Sequence, residues 1–355
     1  MIHFARELGR DGWLPLALAV PLCLITVIGW NGDAVFQRDV TTMLVTLVIV
    51  IGLYVFVGNS GILSFGHASF MAIGAYVTAW LTIPPIRKEV LFPHLPAILR
   101  SAEIAPLPTA VAAGLAAAIL AVIIGIPLMR ISGMACALGL FAILLIVNNV
   151  ASNWESWTRG TLAVLGVPTN TDMNSALAGA LAAIAMAFVF QHTRSALRLR
   201  ASREDEVAAK SIGVDMARER RIALTVSAFI VGVGGFLFAQ YQGSFNADAF
   251  YLTITFTTIA MLVIGGMNSL SGAVVGTVVV SALSVALRNV ESGVAFGPIA
   301  IAPRPGLREV GLAFVMVAIL LLRPRGLTRG QEVASPGPLL RRLFRRAPVQ
   351  VEPNV

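Results

Sequence analysis

The chain has 355 residues, of which 57% are apolar and only 12% charged, against roughly a quarter charged in an average soluble domain. That balance excludes a water-soluble globule, and no polar stretch is long enough to house a separate soluble core. The net charge of +8 rests on 24 Arg and two Lys, Lys88 and Lys210; 15 of these 26 cations fall within 194–221 and 323–346, beside apolar runs, a positive-inside pattern rather than a nucleic-acid surface.

A membrane-spanning helix needs about 20 mostly apolar residues. Runs near that length occupy 13–30, 40–57, 63–83, 106–129, 133–151, 174–191, 222–243, 252–266, 272–288 and 308–323. They predict an all-α polytopic transmembrane helix bundle of about ten segments, eight to ten of them full spans, over 1–323, followed by a basic Pro/Arg-rich tail over 324–355. The first run follows Arg6 and Arg10 but is too long for a signal-peptide core and lacks a small-residue cleavage site, so it reads as a retained span. With a cytoplasmic N-terminus, Arg130, loop 192–221 and the tail fall on the cytoplasmic side, and 84–105, 152–173 and 289–307 fall outside. Both basic clusters then agree on the orientation, with the C-terminus cytoplasmic as well. The tail reads as a mobile segment, serving topology or resting on anionic lipid.

Two stretches interrupt the apolar pattern, Gly58-Asn59-Ser60-Gly61-Ile62-Leu63-Ser64 and Gly265-Gly266-Met267-Asn268-Ser269-Leu270-Ser271-Gly272. The short runs flanking the second, 252–266 and 272–288, read either as full spans or as re-entrant segments. Such interruptions are pointers to a translocation route, because backbone freed from helix bonding survives at membrane depth only where protein or a wet cavity covers it. The plainer alternative is a pair of short surface loops. Small residues, including the Gly272/Gly276 pair, predict close helix packing throughout.

The chemistry that is missing is equally informative. The interiors of the ten segments carry no Asp, Glu, Lys or Arg; Arg288, Arg308, Glu309 and Arg323 sit near ends. A proton relay or a pair of catalytic carboxylates therefore has no home, since an ionisable group costs about 2.5–3.5 kcal/mol at mid-span and persists only for a reason. The histidines at 3, 67, 94 and 192 have no metal-ligand spacing, and Cys23 and Cys136 lie far apart in apolar runs as packing residues. No phosphate-binding Gly-Lys-Ser/Thr loop exists. No catalytic residue, metal or cofactor is expected on this chain, and uphill transport would need energy delivered by another subunit.

Loop 192–221 contains Ser202-Arg203-Glu204-Asp205-Glu206-Val207-Ala208-Ala209-Lys210-Ser211-Ile212-Gly213, which reads as one short complete helix. Ser202 is the expected N-cap, Glu204, Asp205 and Glu206 complement the helix dipole, Glu206 and Lys210 pair at i,i+4, and Gly213 takes the left-handed exit. A helix of ~10 residues is marginal alone in water, so it needs a surface to pack on. Val207, Ala208, Ala209 and Ile212 offer a small apolar face for a partner groove.

Arg203-Glu204-Asp205-Glu206-x-Ala208-Ala209-x-x-x-Gly213-Val214 resembles the EAA-type coupling loop of bacterial ABC importer permeases, and its arginine-rich approach is similar to the branched-chain amino acid permeases of the LivM type. Gly61-Ile62-Leu63-Ser64-Phe65-Gly66-His67-Ala68-Ser69-Phe70 and the stretch from Gly265 to Gly276 agree, in family order, so the resemblance covers most of 40–325. The sequence departs at Val207, where the strict motif has Ala, and over 158–168, where glycines of a Thr-Gly-Gly-rich region are absent.

The resemblance implies one of two pore-forming subunits of an ATP-driven importer in a bacterial inner membrane. Its partners would be a second permease subunit, two cytoplasmic ABC ATPases that hold ATP and Mg, and a periplasmic solute-binding protein. Arg203, Glu204, Asp205, Glu206, Ala208, Ala209 and Gly213 would couple to an ATPase cleft. The candidate solute path is Asn59, Ser60, Ser64, His67, Asn268 and Ser269, groups that hydrogen-bond a zwitterion without a fixed charge. His67 also reads as a packed residue bonded to a neighbour, and Asn148 and Asn149 as interhelical hydrogen-bonders. Rival readings are a permease for urea or short amides, a stand-alone secondary carrier, and a membrane-embedded transferase or isomerase; the missing carboxylates weigh against the last.

Overall fold

The computed structural model describes residues 13–291, 295–296, 299–300, 306–323 and 326–332. Expectations for the N-terminal segment before 13 and for 333–355 lie outside the described residues. Ten long helices match the ten apolar runs: α1 (Trp13–Trp30), α2 (Ala34–Ser60), α3 (His67–Thr82), α6 (Pro106–Leu128), α7 (Gly133–Asn153), α9 (Met173–Gln191), α12 (Met216–Gln242), α13 (Leu252–Gly265), α14 (Leu270–Glu291) and α15 (Leu307–Leu322). Short helices α4 (Pro85–Leu91), α5 (Ala97–Ser101), α8 (Glu155–Thr158), α10 (Arg194–Glu204) and α11 (Glu206–Ser211) lie in the connections. Eight segments among the described residues, one of them joining the 3₁₀ turn Ala247–Phe250 to α13, are long and apolar enough to cross a membrane. The protein is an all-α polytopic bundle.

Helix α2 is the axis of the bundle. From Met43 to Ser60 every residue is buried, as expected of a helix that is apolar on all sides. Helices α12, α9, α14, α13 and α10 all pack on it. By contrast α1, α6 and α7 keep apolar side chains such as Leu16, Val20, Ile119, Ile123 and Leu138 on the outside, the face a bilayer covers. Where α13 crosses α14, a Cβ on Gly265 would overlap the Gly272 carbonyl, and one on Gly276 would overlap that of Met261. Backbones this close require glycine at the crossing.

Helices α2 and α12 extend further than the apolar runs predict. They take in Arg38 and Asp39 at one end and Glu219 and Arg220 at the other, with Glu219 and Arg220 buried. Asp39 pairs with Arg288 of α14, so the charges the sequence placed outside the spans are neutralised at helix ends instead.

The two interruptions differ in kind. Helix α13 runs from the end near Asp39 to the end carrying the 192–221 loop, and α14 returns, so 266–269 is a turn at the loop end between two antiparallel helices. The other break is a non-helical stretch, 61–66, between α2 and α3. Ile62, Ser64 and Gly66 in it are buried, while Gly61 and Leu63 are exposed, so protein covers one side of this irregular backbone.

At the end away from the loop, a two-stranded ribbon pairs β1 (Val164–Leu165) with β2 (Ser244–Phe245). Phe245 seats edge-on against Tyr76 and Phe250, and Trp80 donates to the Trp157 carbonyl at 2.9 Å. Lys88 of α4 is fully buried, with Nζ donating to the Leu99 and Ala102 carbonyls. Burial pushes its ammonium below the ordinary lysine range, and Glu103 opposes the shift.

Candidate functional site: the lever and its latch

The connection 192–221 holds two helices instead of the single one expected from Ser202. Thr193 caps α10, its hydroxyl accepting from Ala196 N at 3.3 Å. Ser202 is buried and donates to the Leu199 carbonyl, so it cannot cap. The chain breaks at Asp205, which is extended (φ −149°, ψ 107°), and its Oδ1 accepts from Val207 N and Ala208 N at 2.9 Å each. Asp205 stands where the chain turns and meets two free amides, and a cap of this kind is worth about 1 kcal/mol over none. Gly213 is left-handed (φ 81°), as predicted, and Val214 N closes the turn on the Ala209 carbonyl at 3.2 Å.

Helix α11 has two faces. Ala209 is buried, while Val207 and Ile212 are 79% and 77% exposed, and Ala208 and Ser211 share that outer face. The expected four-residue apolar surface is therefore divided: Ala209 packs inward. Glu206 also turns inward. It pairs with Lys210 at 2.9 Å, accepts from Ser132 at 2.8 Å and pairs with the buried Arg220 at 3.0 Å. Bonds from Lys210, Ser132 and Arg220 hold its carboxyl well below the usual range, at about 2. Of the three acidic residues, Glu204 is the one left pointing outward, with its side chain 77% exposed.

Helix α10 is pinned to the bundle by charge. Glu219, nearly enclosed on α12, accepts from Ser195 and from Arg198, the latter at 3.0 Å. Two arginines then reach both interruptions. Arg200 Nε donates to Asn59 Oδ1 at 2.8 Å; Arg203 donates to the Gly58 carbonyl at 2.7 Å and to Asn268 Oδ1 at 3.1 Å. The bond to Gly58 satisfies a carbonyl that the end of α2 leaves open, and the other two satisfy side-chain amide oxygens.

The segment 326–332 joins the same junction and is seated there, unlike the mobile tail expected from 324 onward. Leu327 N and Thr328 N donate to the Ile264 and Gly265 carbonyls at 2.8 and 3.0 Å. The Glu332 carboxylate accepts from Leu270 N at 2.8 Å and Ser271 N at 3.0 Å, capping α14.

The six path candidates fall into two groups. Asn59, Asn268 and Ser269 belong to the latch: Asn59 is fully buried, and Ser269 accepts from Gly272 N at 3.0 Å. Ser60 accepts from Ile62 N at 3.2 Å within the turn. Ser64 and His67 sit inside the bundle, where His67 Nδ1 and Nε2 meet Ser64 and Ser227 at 2.6 Å each. Ser227 gives its proton to the Gly52 carbonyl at 2.6 Å, so His67 is the donor through Nε2 and Ser64 donates to Nδ1. His67 thus serves as a buried strut between α3, α12 and α2. Asn148 does bridge to the Ala247 carbonyl at 3.2 Å, whereas the side chain of Asn149 bonds, among the described residues, to Asn153 of its own helix.

A family model described as "Branched-chain amino acid transport system / permease component" matches residues 38–321. The chain belongs to this family. It is therefore a transport component and not an enzyme, a multi-pass membrane protein, and one part of an ABC transporter with other subunits. The high-affinity branched-chain amino acid permease protein LivM of Salmonella typhimurium is 26% identical, covering 81% of this chain and 69% of the relative. LivM of Escherichia coli is 26% identical over 65% of this chain and 59% of the relative. A probable LivH permease protein of Methanocaldococcus jannaschii is 27% identical over 41% of this chain and 44% of the relative. No solved structure matches the chain.

Sequence reading of this permease component missed Arg200, Arg220, Ser132 and Glu332. Arg200 was within reach: it lies at i,i+3 from Arg203 and so shares its helix face. Ser132 and Glu332 had no local signal, because their partners are brought to them only by the packing of distant helices.

Proposed function

We propose that the chain is a pore-forming subunit of an ATP-driven importer of branched-chain amino acids in a bacterial inner membrane, with α10 and α11 as its lever toward a cytoplasmic ATPase. The observation that carries this reading is that one short helix presents Val207, Ala208 and Ile212 outward while its neighbour grips Gly58, Asn59 and Asn268. A push on the outer face of α11 passes through Asp205 to α10, and Arg200 and Arg203 carry it to the ends of α2 and α13. Two ATPase subunits supply ATP and Mg, a second permease subunit completes the pore, and a periplasmic binding protein delivers the solute. In this orientation the 192–221 loop is cytoplasmic and the ribbon end is periplasmic.

The test is reconstitution. The chain co-expressed with its neighbouring ATPase, permease and binding-protein subunits should drive leucine uptake into proteoliposomes only with ATP present. Concentrative uptake by this chain without a nucleotide-hydrolysing subunit would refute the reading.

A further inference from the structure

Between α2, α13 and α14, at the end away from the lever, lies an open cavity of about 580 Å³ that includes none of the six path candidates. Three charged side chains line it: Asp39, Arg288 and Asp248. Asp39 and Arg288 are paired. The Asp248 carboxylate is exposed and has no donor among the described residues. An arginine has five N–H donors, and the bond to Asp39 is the one made by Arg288 among the described residues. The cavity thus offers one open carboxylate and one guanidinium with donors to spare.

The walls below carry no ionised group. Met43, Met261 and Val285 supply apolar surface, and Thr253, Ser281 and Ser284 line the cavity with hydroxyls that make no hydrogen bond among the described residues. Thr257 beside them spends its proton on the Thr253 carbonyl at 2.7 Å and keeps acceptor lone pairs for a guest. An apolar pocket with a few polar anchors is the usual form of a small-molecule site. Hydroxyl walls without charge are also what a passage needs, because they hold a polar solute weakly enough to release it.

We infer that this cleft is a binding site for a zwitterionic aliphatic amino acid, with Asp248 facing the α-ammonium, Arg288 holding the α-carboxylate beside Asp39, and the side chain lying on Met43, Met261 and Val285. The inference deepens the importer reading and rests on it for the direction of transport. The arginine fork matches a carboxylate in two parallel bonds, so Arg288 exchanges part of its contact with Asp39 for the solute. Asp39 then returns to Arg288 when the solute moves on.

The test uses the complete reconstituted transporter with its binding protein and leucine as the probe. Arg288→Gln and Asp248→Asn should each lower leucine uptake at sub-saturating concentration by about ten-fold or more, the loss of one charge-assisted hydrogen bond, while subunit yield and basal ATP hydrolysis hold. Asp39→Asn, which breaks the same ion pair but leaves the arginine, should cost clearly less than Arg288→Gln. Equal losses for those two would reduce the pair to a strut and overturn the assignment, as would unchanged uptake in all three. A second arm is independent of turnover. With Cys23→Ser and Cys136→Ala in place, Thr257→Cys and Ser284→Cys should react with a membrane-impermeant thiol reagent, and saturating leucine should slow that reaction. Labelling that leucine does not slow would overturn the site. A wild-type complex without ATP-driven uptake would instead overturn the importer reading, and the labelling arm would still decide the cleft.

Discussion

Arg220 of α12 holds the Glu206 carboxylate at 3.0 Å and donates to Ser132 at 2.8 Å, so the inner face of α11 is anchored both to α12 and to the connection between α6 and α7. This anchor sets the pH response of the lever. The folded pKa of Glu206 is depressed to about 2, so its contribution is fully present above the ordinary glutamate value and is lost as pH falls through the folded one. The seat of α11 should therefore be constant from neutral pH down to mild acid and fail only below the ordinary carboxylate range. Glu206→Gln should expose 205–214 to protease at neutral pH, as strong acid does to the parent chain. Equal cleavage rates for parent and variant would contradict the anchoring.

Ala208 and Ala209 are neighbours with opposite surroundings, and substitution should separate them. Ala209→Leu forces a larger side chain into a buried position, where overpacking costs about 1–3 kcal/mol, and should lower the melting temperature of the purified chain. Ala208→Leu should leave melting unchanged, yet reduce ATPase co-purification and uptake, because its side chain faces outward. Gly213→Val should abolish uptake while the protein stays in the membrane. An added Cβ at Gly213 meets nothing within 4 Å, so the penalty comes from its φ of 81°, at least about 1–2 kcal/mol for a side chain in that region.

Arg203 serves three acceptors from one guanidinium, Nη1 reaching Gly58 and Asn268 and Nη2 the Glu204 carboxylate, a planar spread that the single nitrogen of a lysine cannot reproduce. Arg203→Lys should uncouple the transporter: ATP hydrolysis and subunit assembly persist while uptake falls several-fold. Arg200→Lys should act in the same direction and more weakly, since Arg200 grips Asn59 alone of the two breaks. Paired loss of hydrolysis and uptake would place the arginines in docking and not in transmission.

The His67 strut predicts a change in stability without a change in solute affinity. Ser227→Ala removes the acceptor of the His67 Nε2 proton and should cost about 0.6–1.7 kcal/mol, the range for polar contacts between membrane helices. It should lower the melting temperature and leave the KM for uptake as it was. A shifted KM at unchanged stability would return His67 to the path.

Glu332 closes α14 from more than sixty positions away in sequence by capping Leu270 N and Ser271 N. Glu332→Ala should destabilise the chain by about 1 kcal/mol, as loss of an N-cap does, and a stop codon after residue 325 should destabilise it more. Identical melting curves for the parent and both variants would show the segment to be dispensable.

The lever illustrates how far local rules reach. Gly213 and the Glu206–Lys210 pair are legible because both depend on residues within one helical turn. The helix start expected at Ser202 is displaced to Asp205, since nothing local reveals that Ser202 is buried against the bundle while Asp205 is free to turn and cap. The path candidates stand out in the sequence as unusual polar groups, but their role depends on what lies opposite. Asn59 and Asn268 face arginines that fold back from another connection.

The sequence by itself determined the membrane class, the ten helical segments and the place of a short helical connection within 192–221, because hydropathy, charge position and turn chemistry act over short stretches of chain. Tertiary structure alone decided that α2 is the axis, that the 266–269 turn is covered by the 326–332 segment, that Arg200 and Arg203 join α10 to both breaks, and that Asp39, Arg288 and Asp248 share one cleft. Each of these follows from contacts between segments far apart in the chain, whose pairing is set by how helix faces pack and not by any local pattern.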